Sequence, residues 1–450
     1  METNAPSAPK SDGSQPPPRS WRMRFATVWL GQTISHLGSS LTGFALGVWV
    51  YQVNDSVTEF ALILLSNTLP VILAAPWAGS LSDRFDRRKV MLLSDLAAGV
   101  CTLALLSLFA LGNLALWHIY LINACNALAR ACQWPAYAAS IPQLVPREQL
   151  TRANGLLQLS YGISQLVAPL AGGALLGVLP MSNIFFVDLG TFVIAVVTLG
   201  LVRFPRALVE SEERTPLRSG LSAGWHALRS RRGLLALTLL VVFSNFTAGS
   251  IEVLVTPLVL SFASPVKLGI LMAIGGLGMV GGSLALGLWG GSRRLVGVIL
   301  ISEGVGACSM ILAGVSPTFV VLAVAAFVYF ATLPIGTGSH HSLIQHAVEP
   351  ALHGRLFALL NASASLALIL GFLSAGPLAD YVFEPLMMPD GGLAATLGFI
   401  FGTGPGRGIG LLFVLMGALV LLTVVSMALL PSVRRMSSEK MAVPDVDTAL

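Results

Sequence analysis

The stretch "GSLSDRFDRRK", residues 79–89, interrupts a chain that is otherwise almost free of charge. Six of the seven residues from Asp83 to Lys89 are charged, and apolar runs at 57–82 and 88–112 flank them. An apolar run of about 20 residues is long enough to cross a bilayer as a helix. The pattern therefore predicts a short charged loop between two membrane-spanning helices.

The composition favours an integral membrane protein. Hydrophobic residues make up 55% of the 450 residues and charged residues 10%, and the mean hydropathy is +0.80. Soluble domains carry about 25% charged residues. The four cysteines lie inside apolar runs, with spacings that suit neither disulfides nor a zinc site. No phosphate-binding loop, metalloprotease motif or nucleophile elbow is found, so we expect neither an enzyme nor a cofactor.

Twelve apolar runs are candidate membrane spans. The chain divides into a disordered tail (1–23), a first six-helix bundle (24–204), a linker (205–232), a second six-helix bundle (233–430) and a second tail (431–450). The predicted spans are 24–51, 57–82, 88–112, 115–140, 154–180, 183–204, 233–262, 266–290, 294–314, 316–342, 355–381 and 406–430.

The basic residues predict the orientation. With twelve spans, 23 of the 26 Lys and Arg residues fall on the side of the two termini. Positive residues accumulate in cytoplasmic loops, so we expect both termini in the cytoplasm. The net charge of +5 then reflects loop residues beside lipid headgroups rather than nucleic-acid binding.

The two bundles share short sequence matches. "APLAG" at 168–172 recurs as "GPLAD" at 376–380, an offset of 208 residues, and the same offset relates Gly79 to Gly287. This predicts a parallel repeat of six and six helices, an arrangement by which transporters build a central cavity. In the linker, Leu217, Leu221, Trp225 and Leu228 share one helical face, which favours an interfacial helix over a solvated linker.

The charged loop resembles that of the major facilitator superfamily. Gly79, Leu81, Asp83, Arg84, Arg87 and Arg88 fall on the positions of its G-x-L-x-D-R-x-G-R-[RK] motif. The sequence departs from the motif at Asp86, where the family prefers glycine, and Asp adopts the left-handed conformation less readily. The resemblance implies a cytoplasmic latch: Asp83 would cap helix 11, and the arginines would tie neighbouring helix ends together. The alternative is that these charges only anchor the topology.

The fifth span resembles the helix 5 motif of drug antiporters in that superfamily. The motif positions hold Gly155, Ser164, Ala168, Pro169, Gly172 and Gly173, so two glycines are replaced by other small residues. A general small-residue packing face is the alternative. "LVPREQLTRANGL" and the first span are similar to the branch of macrolide-efflux and enterobactin-export proteins.

Four residues are candidates for proton coupling. Arg130 and Gln133 resemble the R-x-x-Q of the superfamily's helix 4, although Arg130 could instead snorkel toward the membrane surface. His36 lies near mid-membrane in the first span, and histidine titrates near neutral pH. Glu252 is the one carboxylate well inside a span expected to line the cavity. A packing role for His36 and a position near the outer mouth for Glu252 stay open.

A second set of residues could line an amphipathic substrate pocket. These candidates are Asn67, Tyr161, Phe243, Asn245, Phe246 and Tyr329. We expect Glu303 and Asp188 to meet neighbouring helices. His340, His341 and His346 lack acidic or cysteine partners, so we do not expect a metal there.

Together with these patterns, the resemblance implies a monomeric secondary transporter of a bacterial inner membrane that exports an amphipathic organic compound in exchange for protons. The compound would be a macrolide-like drug, a siderophore or a secondary metabolite. An importer or uniporter of a small nutrient is the alternative on the same fold. A membrane sensor without transport is the third possibility.

Overall fold

The computed structural model describes residues 21–202, 204, 225–226, 228–289, 294–316 and 318–438. Most of the first tail, most of the linker with Leu217 and Leu221, and residues 439–450 therefore lie outside the described residues. Within the described ranges the chain forms helices and turns and contains no strand. The prediction of an all-helical protein is confirmed.

Twelve helices of the described chain have 21 or more residues. Ten of them are apolar enough to cross a membrane by length and composition alone, whereas α1 and α4 carry more polar residues. The twelve are α1 (Trp21–Asn54), α2 (Val57–Arg84), α3 (Arg87–Ala110), α4 (Leu116–Leu144), α5 (Leu150–Leu176), α6 (Met181–Leu201), α7 (Arg232–Leu260), α8 (Pro265–Trp289), α9 (Leu295–Val315), α10 (Phe319–Ala347), α11 (Pro350–Leu378) and α12 (Arg407–Leu429).

The same helix contacts occur in both halves of the chain. In the first half, α1 packs on α5 and α6, α4 packs on α2 and α3, and α3 packs on α6. In the second half, α7 packs on α11 and α12, α10 packs on α8 and α9, and α9 packs on α12. Adding six to each helix number converts the first set into the second. Two six-helix bundles with the same internal arrangement are what a parallel repeat produces.

Two helix pairs make most of the contacts between the halves, α2 with α11 and α5 with α8, and α2 also touches α7. We call the end of the bundle at which α1 begins and α12 ends the inner end, and the opposite end the outer end. Near the outer end, glycines bring the backbones into contact. A Cβ added to Gly376 would lie 2.6 Å from Cα of Thr58, and one added to Gly173 would lie 2.5 Å from the carbonyl oxygen of Pro265. Small residues allow this close approach.

The hydrophobic core is shared by the halves at the outer end but divided at the inner end. One cluster at the outer end contains Val57 and Ala61 of α2 together with Leu254 of α7 and Phe372 of α11. At the inner end, one cluster contains residues of the first half only. Another cluster contains residues of the second half together with Leu228 of the linker. The halves therefore touch near the outer end and separate toward the inner end.

Short helical elements complete the described chain. A 3₁₀ turn (Arg147–Gln149) precedes α5. A π-helical turn (Ala379–Phe383) and a short helix (Glu384–Met387) extend α11. Two further short helices span Ala394–Phe401 and Pro431–Ser438.

Candidate transport pathway

The two halves part toward the inner end, and we infer that a central cavity opens between them. Glycines on α5 show where these helices part: a Cβ added to Gly162 or Gly155 would meet no atom within 4 Å, unlike one added to Gly173. Tyr161 in the middle of α5 is 48% exposed. This exposure agrees with a separation of the halves at the level of Tyr161.

His36 and Tyr161 form the α1–α5 wall of this cavity. Their rings meet edge to face with centroids 6.0 Å apart, and Nδ1 of His36 lies 3.3 Å from Oγ of Ser40. Nearby, the Thr33 and Ser160 hydroxyls are 2.7 Å apart, again joining α1 to α5. His36 therefore has both a packing partner and a hydrogen-bond partner, and the half-buried ring stays at the border of the cavity.

Arg130 is held inside the first half. Its guanidinium donates to Oδ1 of Asn67 on α2, and its Nε is buried without a hydrogen-bond partner among the described residues. His36, Tyr161 and Asp188 lie within range of electrostatic interaction with Arg130. Arg130 thus reaches across to α2 inside the bundle instead of snorkelling to the membrane surface.

Gln133 belongs to a triad that the sequence did not reveal. Its Nε2 donates to Oδ1 of Asp95 on α3 at 2.6 Å and to Oε1 of Gln32 on α1 at 2.8 Å. Nε2 of Gln32 donates to Oδ2 of Asp95 at 2.9 Å. Asp95 is 1% exposed. The sequence signal that could have revealed this triad is Asp95 itself, a lone acidic residue inside an apolar span. Such a residue is costly in a membrane unless it has a function or a partner.

Asp188 occupies a second buried position in the first half. It is 1% exposed and accepts hydrogen bonds from Thr102 on α3 at 3.0 Å and from Ser39 on α1 at 3.4 Å. The expected contact with neighbouring helices is present. Seven residues separate Gln32 from Ser39 and Asp95 from Thr102, so the two polar positions are about 10 Å apart along the helices.

In the second half, Glu252 is an exposed carboxylate eight residues before the end of α7. No described residue forms a hydrogen bond with it. Asn245 lies seven residues earlier and hence on the same helix face, and its amide donates to the carbonyl of Val241 at 2.8 Å. α11 packs beside this face, because a Cβ on Gly249 would meet the carbonyl oxygen of Leu368. Glu252 itself stays exposed.

Glu303 and His340 face the interior of the second half. Ser244 on α7 donates to Oε2 of Glu303 on α9, which is the helix contact expected for Glu303. Thr238 on α7 lies 3.3 Å from Nε2 of His340 on α10. Among the described residues, no group of three or more His, Cys, Asp or Glu side chains is placed to hold a metal.

The aromatic pocket candidates of the second half are distributed over different environments. Phe243 and Phe246 stack with centroids 6.1 Å apart, and Phe243 also packs on the cluster that contains Ala307 and Val420. Tyr329 lines a small apolar cavity of about 40 Å³ within the second half, together with Phe330 and Phe413. Tyr161 is the candidate most open to the central cavity.

The residues of the helix 5 motif lie on α5, and all except Gly155 are buried or pack against neighbouring helices. A Cβ on Gly172 would lie 2.7 Å from Cδ1 of Phe44 on α1, and Gly173 touches the start of α8. Ser164 and Ala168 are buried, and the carbonyl oxygen of Pro169 contacts α8 at Gly269. Gly155 lies near the inner end with no neighbour on its α-carbon.

The charged loop is organised by Asp86. Its side chain accepts hydrogen bonds from the backbone N–H groups of Arg88 and Lys89 and so caps α3. Asp86 has φ −57° and ψ 116°. The loop therefore does not use the left-handed conformation that the family's glycine suggested, and the expected difficulty with Asp at this position was wrong.

The arginines of the loop bind the ends of neighbouring helices in the same half. Arg87 donates to the carbonyl of Ala139 on α4 at 2.5 Å, and Arg88 donates to the carbonyls of Leu199 and Gly200 on α6 at 2.9 and 2.6 Å. Cations near helix C-termini are favourable. The side chains of Asp83 and Arg84, and the surroundings of Gly79, lie outside the described residues.

Comparison with known proteins identifies the family. The family model of the Major Facilitator Superfamily matches residues 28–372. The chain belongs to this superfamily. Its members are membrane transporters, which agrees with a twelve-helix fold built from two repeated bundles around a cavity.

Within the superfamily, efflux proteins are among the similar sequences. The chain is 28% identical over 370 residues to macrolide efflux protein A of Streptococcus pyogenes, which covers 80% of this chain and 91% of that protein. It is 26% identical over 341 residues to the enterobactin exporter EntS of Citrobacter koseri, covering 75% and 81% of the two chains. These relatives confirm the resemblance to the macrolide-efflux and enterobactin-export branch.

The fold is also similar to solved transporter structures. One is a bacterial homologue of the human lysosomal transporter Spinster in an inward-facing, unoccupied conformation, with a TM-score of 0.62 and 15% identity over 95% of this chain and 98% of that chain. At this identity the similarity concerns the fold alone.

Proposed function

We propose that this member of the superfamily exports an amphipathic organic compound in exchange for protons. The compound class is a macrolide-like drug or a siderophore, as the names of the two efflux relatives suggest. The protein would act as a monomer in the inner membrane of a bacterium. Both termini and the inner end would face the cytoplasm, since 23 of 26 basic residues lie on that side.

One observation carries this proposal. The described halves join near the outer end and part toward the inner end, with Tyr161 and Glu252 exposed between them. With the inner end in the cytoplasm, this is the conformation in which an exporter loads its cargo. Rocking of the halves about the cavity would then release the cargo outside.

The cavity combines features suited to an amphipathic cargo. Tyr161 and Phe246 offer aromatic surface, while Asn67, Asn245 and Glu252 offer polar groups; such mixtures are typical of small-molecule sites. Glu252, free of partners among the described residues, would attract a cationic group on the cargo or exchange a proton. His36, Arg130 and Gln133 would link the occupancy of this cavity to protonation in the first half.

The charged loop would hold the opposite conformation. When the outer end opens, the inner ends of α2 and α11 approach, and Asp83 would then accept hydrogen bonds from the N-terminus of α11. Arg87 and Arg88 already fasten the loop to α4 and α6. Gly79 and Arg84 would complete this latch.

Everted membrane vesicles test the proposal directly. Vesicles with an acidic interior should accumulate radiolabelled erythromycin, and collapse of the pH gradient should abolish the accumulation. A catecholate siderophore is the parallel probe. Uptake that persists after collapse of the gradient would eliminate proton exchange, and a gradient-driven loss of compound from the vesicles would indicate an importer.

A pair of proline variants provides the matched control for the role of α5. Pro169→Ala adds an N–H inside α5 where its carbonyl contacts α8, so export should fall. Pro405→Ala changes an exposed proline in the segment before α12 and should leave export unchanged. Equal export by both variants would contradict the role assigned to Pro169.

A further inference from the structure

Two carboxyl groups occupy equivalent positions in the two halves. Asp95 on α3 and Glu303 on α9 are separated by 208 residues, the offset that also relates "APLAG" to "GPLAD". The structure supports the equivalence, because α3 begins at Arg87 and α9 begins 208 residues later, at Leu295. Each carboxyl also bonds to the first helix of its own half, through Gln32 on α1 and Ser244 on α7.

Neither carboxyl has a cationic partner among the described residues. Asp95 is bonded by the amides of Gln32 and Gln133, and Glu303 by the hydroxyl of Ser244. An ionised carboxylate inside a membrane protein is expensive without a compensating charge. Amide and hydroxyl donors offset only part of that cost, so the protonated form becomes accessible.

The partners can serve both protonation states. A glutamine amide presents N–H donors on one side and a carbonyl acceptor on the other, and a serine hydroxyl both donates and accepts. A carboxylate can therefore accept from Gln32 or Ser244, and a carboxylic acid can donate to the same group after a rotation. An arginine or lysine in that place could only donate and would hold the carboxylate ionised.

Other titratable groups lie on the helices that pack around these positions, and none of them bonds to either carboxyl. Around Asp95 they are His36 on α1, Arg130 and Tyr137 on α4 and Asp188 on α6. Around Glu303 they are Tyr329 on α10, which lies within electrostatic range, and His340, which lies one turn after Gly336 on the α10 face near Glu303 and contacts Thr238.

We propose that Asp95 and Glu303 are proton-carrying groups of the transport cycle, one in each half. Each carboxylate would take a proton from hydronium while its half is accessible from the outer side, leaving water. It would return that proton to water in the inner cavity after the halves have moved. Gln133 is half-buried and so more exposed than Gln32 and Asp95, and the proton of Asp95 would pass beside it. This inference rests on the proposed proton exchange and assigns groups to it.

Infrared spectroscopy tests the protonation itself without a transport substrate. At a pH where exposed carboxyl groups are already ionised, purified protein in liposomes should show carbonyl-stretch bands of protonated carboxyl groups that disappear as the pH rises further. Asp95→Asn and Glu303→Gln should each remove one band. Asp390→Asn, at an exposed position in the segment after α11, is the matched control and should remove none of these bands. Folding is checked by helicity and by a single peak in size-exclusion chromatography.

Transport of labelled erythromycin tests the role in coupling. Asp95→Asn and Glu303→Gln should lose uptake driven by a pH gradient in everted vesicles while retaining exchange of labelled for unlabelled erythromycin at equal pH. The conservative variants Asp95→Glu and Glu303→Asp should restore part of the gradient-driven uptake.

Each outcome decides the inference. Unchanged bands in either neutral variant, or gradient-driven uptake equal to wild type, would overturn the assignment for that residue. Loss of exchange together with unchanged bands would make the residue a structural one. If the wild type ignores the pH gradient, the proposed proton exchange fails, while the infrared titration still decides whether these two groups bind protons.

Discussion

Asp380 closes the outer end of the cavity by capping a helix of the other half. It follows α11 directly, and its carboxylate accepts from Oγ of Ser56 at 3.0 Å and from the backbone N–H groups of Val57 at 3.0 Å and Thr58 at 2.8 Å. These three hydrogen bonds join the second half to the first at the outer end. We therefore predict that Asp380→Ala shifts the protein toward the conformation that is open at the outer end.

The structure sets the size of the shift. Removing an N-terminal capping side chain costs about 0.5–2 kcal/mol. The loss of a negative charge at a helix N-terminus adds about 0.3–1 kcal/mol. Together the two losses amount to about 2 kcal/mol. The outward-open conformation lacks this contact in any case, so nearly all of this free energy acts on the equilibrium between the two conformations. Their ratio then changes by about 30-fold. A wild-type ratio of about 100:1 for inner-open to outer-open protein would fall to about 3:1. Asp380→Asn keeps one acceptor and should shift the ratio by about fivefold.

Distances between spin labels at the outer end measure this ratio. Leu111 in the first half and Val320 in the second are both 71% exposed at that end and can be replaced by labelled cysteines. The background would lack the native cysteines Cys101, Cys125, Cys132 and Cys308. Double electron–electron resonance in liposomes should show a longer distance gaining population in Asp380→Ala.

Asp390→Asn is the control, since Asp390 is exposed in the same segment and no described residue bonds to it. Its distance distribution should match the wild type. If Asp380→Ala leaves the distribution unchanged, or increases the short distance, the reasoning that this cap holds the outer end closed is wrong.

Three further predictions concern other parts of the structure. Gly376→Ala would place a Cβ 2.6 Å from Cα of Thr58 and should therefore favour the outer-open conformation in the same spin-label experiment. Gly162→Ala is the control, because open space surrounds its α-carbon, and it should leave the distance distribution unchanged. Glu384 accepts hydrogen bonds from backbone N–H groups at the start of α12, so Glu384→Gln should lower the stability of the second half by about 1 kcal/mol. Thermal unfolding in detergent measures this change, and an unchanged unfolding midpoint would contradict the capping role. Glu252→Gln should impair export of a cationic compound more than that of a neutral compound of similar size, and equal impairment would argue against recognition of charge by Glu252.

The fold could be predicted from the sequence because the bilayer restricts the choices. Backbone polar groups in lipid must be satisfied internally, so long apolar runs become helices. The span boundaries differ from the helix ends by several residues, since helices such as α1 and α2 continue beyond the apolar core to Asn54 and Arg84. The two less apolar helices, α1 and α4, are also predicted as spans, from the runs at 24–51 and 115–140.

The candidate site was less predictable. Sequence reasoning found Arg130 and Gln133 through a motif but missed Asp95 and Gln32, because which face of α3 meets α1 and α4 depends on packing that periodicity does not specify. The same holds for Asp380, which looked like part of a repeated "PLA" stretch. The "GTGPGRGIG" segment at 402–410 had no explanation until the structure showed Glu384 bonded to the N–H groups of Gly406 and Ile409.

The antiparallel pair of α2 and α11 links these observations into one argument about alternating access. Each helix begins where the other ends, so each N-terminus faces the C-terminal end of its partner from the other half. At the outer end, Asp380 from α11 caps α2. At the inner end, the family resemblance assigns the corresponding role to Asp83 from α2 toward α11. If each conformation has its own cap, the two caps offset each other and the free-energy difference between the conformations stays small. A cargo molecule or a proton then needs only a modest difference in affinity for the two conformations to move the equilibrium.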